Sequence, residues 1–178
     1  MGRKDRIRIF VTNLSEYVSG CLIGEYVELP IPWDKFQEVL NRIGIDEQHE
    51  EYFISDYESL FSNLHISEHA GIDELNELAE RIEELADFDY DKLGAVLECE
   101  SCMSIAEILE VLDELDSFDL IADISTEEDL GEYYLEDIFY GVPDTVLRYI
   151  DTQRLGRDIH LESGNGTFCS YGYLIDHR

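Results

Sequence analysis

The sequence predicts an α+β fold, because strand-like apolar runs near both ends enclose a middle whose apolar residues recur at helical spacing. Residues 7–14, 51–57 and 118–124 run or alternate as strands, whereas Ile72, Leu75, Leu78, Ala79, Ile82 and Leu85 form one helical stripe. At 178 residues, 44% apolar and 11% aromatic, the chain holds the material of a folded core rather than of an acidic disordered segment. Shifts of pattern near residues 67–71 and 116 suggest an elongated chain of three small modules. These are residues 1–68 (α+β, antiparallel strands), 69–115 (helical) and 116–178 (α+β with a hairpin).

In chain order, residues 7–14 and 21–29 read as two strands, the second ended by Pro30 and Pro32. Asp34 can cap a helix that turns Phe36, Val39, Leu40 and Ile43 inward and stops at Gly44. A third strand follows over residues 51–57. After the stripe beginning at Ile72, residues 91–97 can form a short helix, and Ser104 with Glu107 fits a capping box opening another. Beyond the strand at 118–124, Ser125 with Glu128 suggests a second capping box, for a helix running to Gly141. Pro143 opens a helix that Gly156 closes, and residues 159–162 and 168–175 read as strands joined by a Ser-Gly-Asn-Gly turn.

Charge narrows the function. The chain carries 42 Asp and Glu against 12 Lys and Arg, a formal net charge of -30. The excess is not a tail: residues 11–140 hold 36 acids and four bases, while residues 1–10 are net +3 and residues 141–178 net -1. Such a chain repels nucleic acid and anionic membranes. The basic start at Arg3, Lys4, Arg6 and Arg8 is followed by too short an apolar run for an export signal or a membrane span. A cytoplasmic protein is expected, with Cys21, Cys99, Cys102 and Cys169 as reduced thiols.

Catalytic and metal signatures are weak. Residues 87–98 place acids at several positions of a calcium loop, but Lys92 stands where the turn needs glycine, so a turn between helices is the simpler reading. Cys99 and Cys102 form a CxxC without a second pair, and His65 and His69 at unmatched spacing do not make a zinc pattern. No nucleotide-binding, hydrolase or metalloprotease motif occurs, and acids are too frequent for any carboxylate pair to be informative. Neither an enzyme, nor a cofactor, nor a small-molecule substrate is indicated.

The arrangement of the acids is more telling. Glu128, Glu132 and Glu136 recur every four residues, flanked by Asp129 and Asp137; Asp73/Glu77, Glu80/Glu84, Glu83/Asp87 and Glu110/Glu114 repeat the spacing. Each like-charged pair costs a few tenths of a kcal/mol, which interleaved lysines would relieve. Solubility requires a net charge of only about 2–8. High-salt adaptation is the bland explanation. The functional one is that carboxylates stand where phosphates would for a DNA-binding partner. Two copies would carry the charge of roughly 100 Å of duplex. An acidic decoy or chaperone for a different basic partner is the alternative, and a calcium-responsive regulator a third.

Short motifs carry a family resemblance. Asn13-Leu14, Tyr17, Gly20, Gly24 and Tyr26, then Glu51-Tyr52-Phe53-Ile54 with Asp56-Tyr57-Glu58, then Tyr149-Ile150-Asp151 with Leu155-Gly156-Arg157-Asp158 and Gly166-Thr167-Phe168, resemble the ArdA antirestriction family in order and spacing. The likeness runs from Ile7 to Tyr173. It implies a protein of plasmids, conjugative elements or phages that mimics DNA and occupies the DNA-binding cleft of type I restriction-modification enzymes, in their specificity and methyltransferase subunits. It also implies a homodimer joined through the C-terminal module, for which Tyr133, Tyr134, Phe139 and Tyr140 are the expected contacts. The motif glycines would serve turns, and Arg157 would pair with a nearby acid.

Overall fold

A computed structural model describes residues 6–46, 51–100, 103–139 and 141–178. The fold is α+β, with two three-stranded antiparallel sheets among its helices. Its internal contacts divide it into two compact units, Met1–Tyr90 with Cys102–Asp113, and Asp91–Ser101 with Glu114–Arg178.

In the first unit, β1 (Arg8–Asn13) lies between β2 (Gly24–Glu28) and β3 (Tyr52–Glu58), with Ile9 opposite Val27 and Tyr57. Alternation along the chain buries Ile7, Ile9 and Val11, together with Phe36, Val39 and Leu40 of α2 (Trp33–Arg42) and with Ile43 at its end. That is the inward set expected of this helix, although Pro32 rather than Asp34 occupies its cap. The second strand starts at Gly24 rather than at Cys21, because α1 (Leu14–Val18) and an exposed loop precede it. Buried Asn13 explains the turn there. Its Oδ1 accepts from the Glu16 N–H, while its amide donates to the carbonyls of Ile43 and Gly44. One side chain thus caps α1 and fixes the end of α2. Helices α3 (Ile72–Glu84) and α5 (Ile105–Asp113) pack on one another in this unit. The Ser104–Glu107 capping box is formed as expected.

The second unit contains most of α4 (Asp87–Cys99), the sheet β4-β6-β5 and the close pair α6–α8. Segment 87–98, weighed above as a calcium loop, is helical throughout, and Leu93 to Leu97 are buried. Strand β4 (Phe118–Ala122) pairs with β6 (Gly172–Asp176), Leu120 opposite Leu174, close to the expected span. The next cap is shifted by one residue. Thr126, not Ser125, caps α6 (Glu127–Tyr133), and Asp129, not Glu128, closes the box, because its carboxylate reaches the N–H groups of both Ser125 and Thr126. The α-helical turns stop at Tyr133, and a π-helical turn (Tyr134–Ile138) takes the place of a helix running to Gly141.

The chain end departs most from expectation. The helix at Pro143 is one turn, α7 (Asp144–Leu147), and a new helix, α8 (Thr152–Ser163), begins at the Asp151 cap. Residues 159–162 belong to α8 and not to a strand, and Gly156 lies inside the helix rather than closing it. Gly164, at φ 69°, is the left-handed cap that ends α8. The hairpin of β5 (Gly166–Cys169) and β6 therefore turns at Ser170-Tyr171 and not at Ser-Gly-Asn-Gly. Ile124, Leu130 and Tyr173 form the core between this sheet and the helices.

Candidate partner-binding surface

Helix α3 forms the most regular acidic face. Its buried Ile72, Leu75, Leu78, Ala79 and Ile82 fix its orientation, so the intervening Asp73, Glu77, Glu80 and Glu84 are all exposed. These four are spaced 4, 3 and 4 residues apart, which sets them along one side of the helix. Over 13 residues α3 carries six acids and one arginine. At 1.5 Å rise per residue that is one net negative charge per about 4 Å, close to the 3.4 Å of a single DNA strand. Arg81, the one cation on α3, is committed to Asp113 of α5 at 2.8 Å. Asp87 at the start of α4 and Glu110 on α5 are exposed as well.

In the second unit, Glu114 is exposed where a 3-10 turn begins, and Glu128 and Glu132 are exposed one helical turn apart on α6. Glu136 and Asp137 are also exposed, but on the π turn, so the row of three glutamates passes from α-helical to wider geometry between its second and third members. Asp129 is a cap: hydrogen bonds from Thr126 and Ser125 hold its carboxyl below the usual carboxylate range.

The aromatic residues assigned to a dimer contact are differently placed. Tyr133 and Tyr134 are half-buried against the core of their own unit, and Tyr134 packs on Phe139 at 5.8 Å between ring centroids. Phe139 is exposed, and Tyr140 lies outside the described residues. Cys102, the second cysteine of the CxxC, also lies outside them; His65 and His69 are exposed on the non-helical segment before α3. Among the described residues, no group of three or more His, Cys, Asp or Glu is placed to hold a metal ion. Nor, among them, is any helix long and apolar enough to cross a membrane.

The motif residues behave as structural ones. Besides the Asn13 cap, the Tyr26 hydroxyl donates to Asp56 at 2.6 Å, and Glu58 pairs with Arg8 at 2.6 Å. A Cβ on Gly24 would lie 2.6 Å from the Val11 carbonyl oxygen, so only glycine lets β2 approach β1 there. Gly156 allows a similar approach of α8 to α6. Arg157 departs from expectation, since its guanidinium makes no ion pair among the described residues.

That departure belongs to a pattern sequence reasoning missed. Arg6, Arg8, Lys35, Arg42, Arg81 and Arg178 each hold a carboxylate, and buried Lys92 donates to the Leu115 carbonyl. Among the described residues, only the guanidinium groups of Arg148, Arg154 and Arg157 make no ion pair, hydrogen bond or ring contact. The near-neutral charge of residues 141–178 was the available signal.

A comparison with curated proteins finds no match to this chain. A family model described as antirestriction protein (ArdA) matches residues 9–175, nearly the whole chain and all the motifs named above. The chain belongs to the ArdA antirestriction protein family.

Proposed function

We propose that the chain works as a DNA mimic, an inhibitor whose carboxylates occupy the DNA-binding cleft of a type I restriction-modification enzyme. The observation that carries this reading is the row of exposed acids on α3, at nearly the linear charge density of a DNA strand, with its one cation already paired. In the cleft, arginines and lysines of the specificity and methyltransferase subunits that hold phosphates meet Asp73, Glu77, Glu80, Glu84, Asp87 and Glu110 instead. In the second unit, taken by itself, Glu114, Glu128, Glu132, Glu136 and Asp137 are the carboxylates offered to such groups. The rigid fold supplies what free acidic peptides lack: the charges are ordered before binding, so little side-chain and backbone entropy is lost on association. No bond is made or broken. The inhibitor acts as a homodimer in the bacterial cytoplasm, where the enzyme meets incoming DNA. The test is a cleavage assay with a type I enzyme, with and without the protein. Inhibition relieved by excess DNA supports the reading, and undiminished cleavage at micromolar inhibitor contradicts it.

A further inference from the structure

The end of α4 is tied to the β5–β6 hairpin by neighbouring residues of both. A Cβ on Gly94 would stand 2.5 Å from Cζ of Tyr171, so that ring lies directly on the helix backbone. One helical turn on, Glu98 accepts from the Ser170 N–H at 2.9 Å and also from the Ser170 hydroxyl. Glu100 takes the guanidinium of Arg178, which pairs in turn with Asp176 of β6 at 2.9 Å. Cys99 therefore sits between two side chains that grip the same sheet, and Cys169, the last residue of β5, stands next to Ser170. The Cys99 thiol faces that of Cys169 within reach of a side-chain hydrogen bond, while the Cys169 thiol donates to the Gly172 carbonyl at 3.4 Å. Both are half-buried free thiols. The contacts on either side of them fix the two backbones side by side, which is the condition a bridge requires. A cleft of about 380 Å³, bordered by Cys99, Thr167 and Arg178, opens beside the pair and gives a small oxidant a way in.

We infer that Cys99 and Cys169 form a redox couple, closing to a disulfide that ties α4 to the hairpin when the chain meets a low-molecular-weight disulfide such as oxidised glutathione. The Cys169 thiolate attacks one sulfur of that disulfide, giving a mixed disulfide and expelling one glutathione thiolate. The Cys99 sulfur, once it has given up its proton, attacks the Cys169 sulfur and expels the second. Two protein thiols are oxidised, one glutathione disulfide is reduced to two thiols, and the two protons released by the protein end on them. Burial, assisted by Cys169, Glu98 and Glu100, pushes the Cys99 thiol up to about 11, which suits it to the second, intramolecular step rather than to the first. The acids of α3 and α6 take no part, so the couple stands apart from the mimic reading.

Peptide mapping of the full chain tests this. The protein is fully reduced, freed of reductant, incubated with oxidised glutathione, alkylated and digested with trypsin and a glutamate-specific protease, which cuts between Cys99 and Cys102. The expected product joins Cys99 to Cys169, in the wild type and equally in a variant carrying Cys21→Ser and Cys102→Ser, which keeps only this pair. The oxidised protein should melt about 5 °C or more above the reduced one, and dithiothreitol should abolish the difference. Cys169→Ser should show no rise on oxidation. A Cys99–Cys102 bridge, glutathione adducts without a bridge, a bridge that forms only in urea, or an unchanged melting temperature would each overturn the inference.

Discussion

Gly156 meets the main chain of Glu127 so closely that a Cβ built on it would stand 1.7 Å from the Glu127 carbonyl oxygen. The contact is reciprocated, since a Cβ on Gly131 would stand 1.9 Å from the Thr152 carbonyl oxygen. Backbone packs on backbone, and α6 is held by this contact together with Leu130 in the core. Even a methyl group must push the helices apart. Gly156→Ala is expected to destabilise the protein by about 3 kcal/mol or more, the upper range for overpacking, measured by urea unfolding. A variant within about 0.5 kcal/mol of the wild type, the range of neutral surface changes, would contradict the packing described.

The cap of α6 predicts a pH dependence. The Asp129 carboxyl sits below its usual range because Thr126 and Ser125 donate to it. A carboxyl lowered in the folded state adds stability above its unfolded pKa, near 3.9, and loses it as pH falls through the folded value. Asp129→Asn should therefore lower the melting temperature at pH 7, and the gap to the wild type should narrow below about pH 4. Thr126→Ala, which removes the other half of the box, should cost about 1 kcal/mol.

Stability and inhibition should respond in opposite directions on α3. Converting Asp73, Glu77, Glu80 and Glu84 to their amides relieves three like-charge pairs, each worth a few tenths of a kcal/mol, so thermal melting should rise slightly. Inhibition of a type I enzyme should fall several-fold. If both rise together, the acids are not contacts.

On α6 and the π turn, reversing Glu128, Glu132 and Glu136 together to Lys should reduce inhibition more than any single reversal. Dose–response curves for the four variants give the comparison. One substitution that abolishes inhibition in a folded protein would indicate a focused hot spot in place of a distributed field.

The thiols should differ in reactivity. Burial, assisted by Cys169 and the neighbouring acids Glu98 and Glu100, pushes the Cys99 thiol up to about 11, whereas Cys21 is exposed. The thiolate is the reactive form, so iodoacetamide at pH 8 should label Cys21 well before Cys99 in peptide mass mapping. Equal labelling would contradict the burial of Cys99.

The elements legible in the sequence were those set by local pattern. The Ile7–Ile9–Val11 alternation gave β1, and the stripe from Ile72 to Ile82 gave α3 and, by exclusion, its exposed acids. The misread region was decided by distant contacts. Gly156 reads as a helix end because glycine is the usual residue at a helix C-terminus, yet it is required there by Glu127, a residue of another helix. The shifted cap followed from competing signals: Ser125 and Thr126 stand together with Glu128 and Asp129, and either offset fits a capping box. Pairing was the least legible feature. Arg81 finds Asp113 and Arg42 finds Glu25 across long stretches of chain, so the three arginines left over could be identified only from the fold.

The central claim is that carboxylates on this fold take the place of DNA phosphates. It is tested most directly by measuring inhibitor binding to a type I enzyme as DNA and salt are varied. The account predicts competition, with the half-inhibitory concentration rising in proportion to duplex DNA, and an affinity that falls steeply as salt is raised from 50 to 200 mM, roughly as DNA binding does. Inhibition that is indifferent to DNA concentration, or binding that stays level across that salt range, would contradict it.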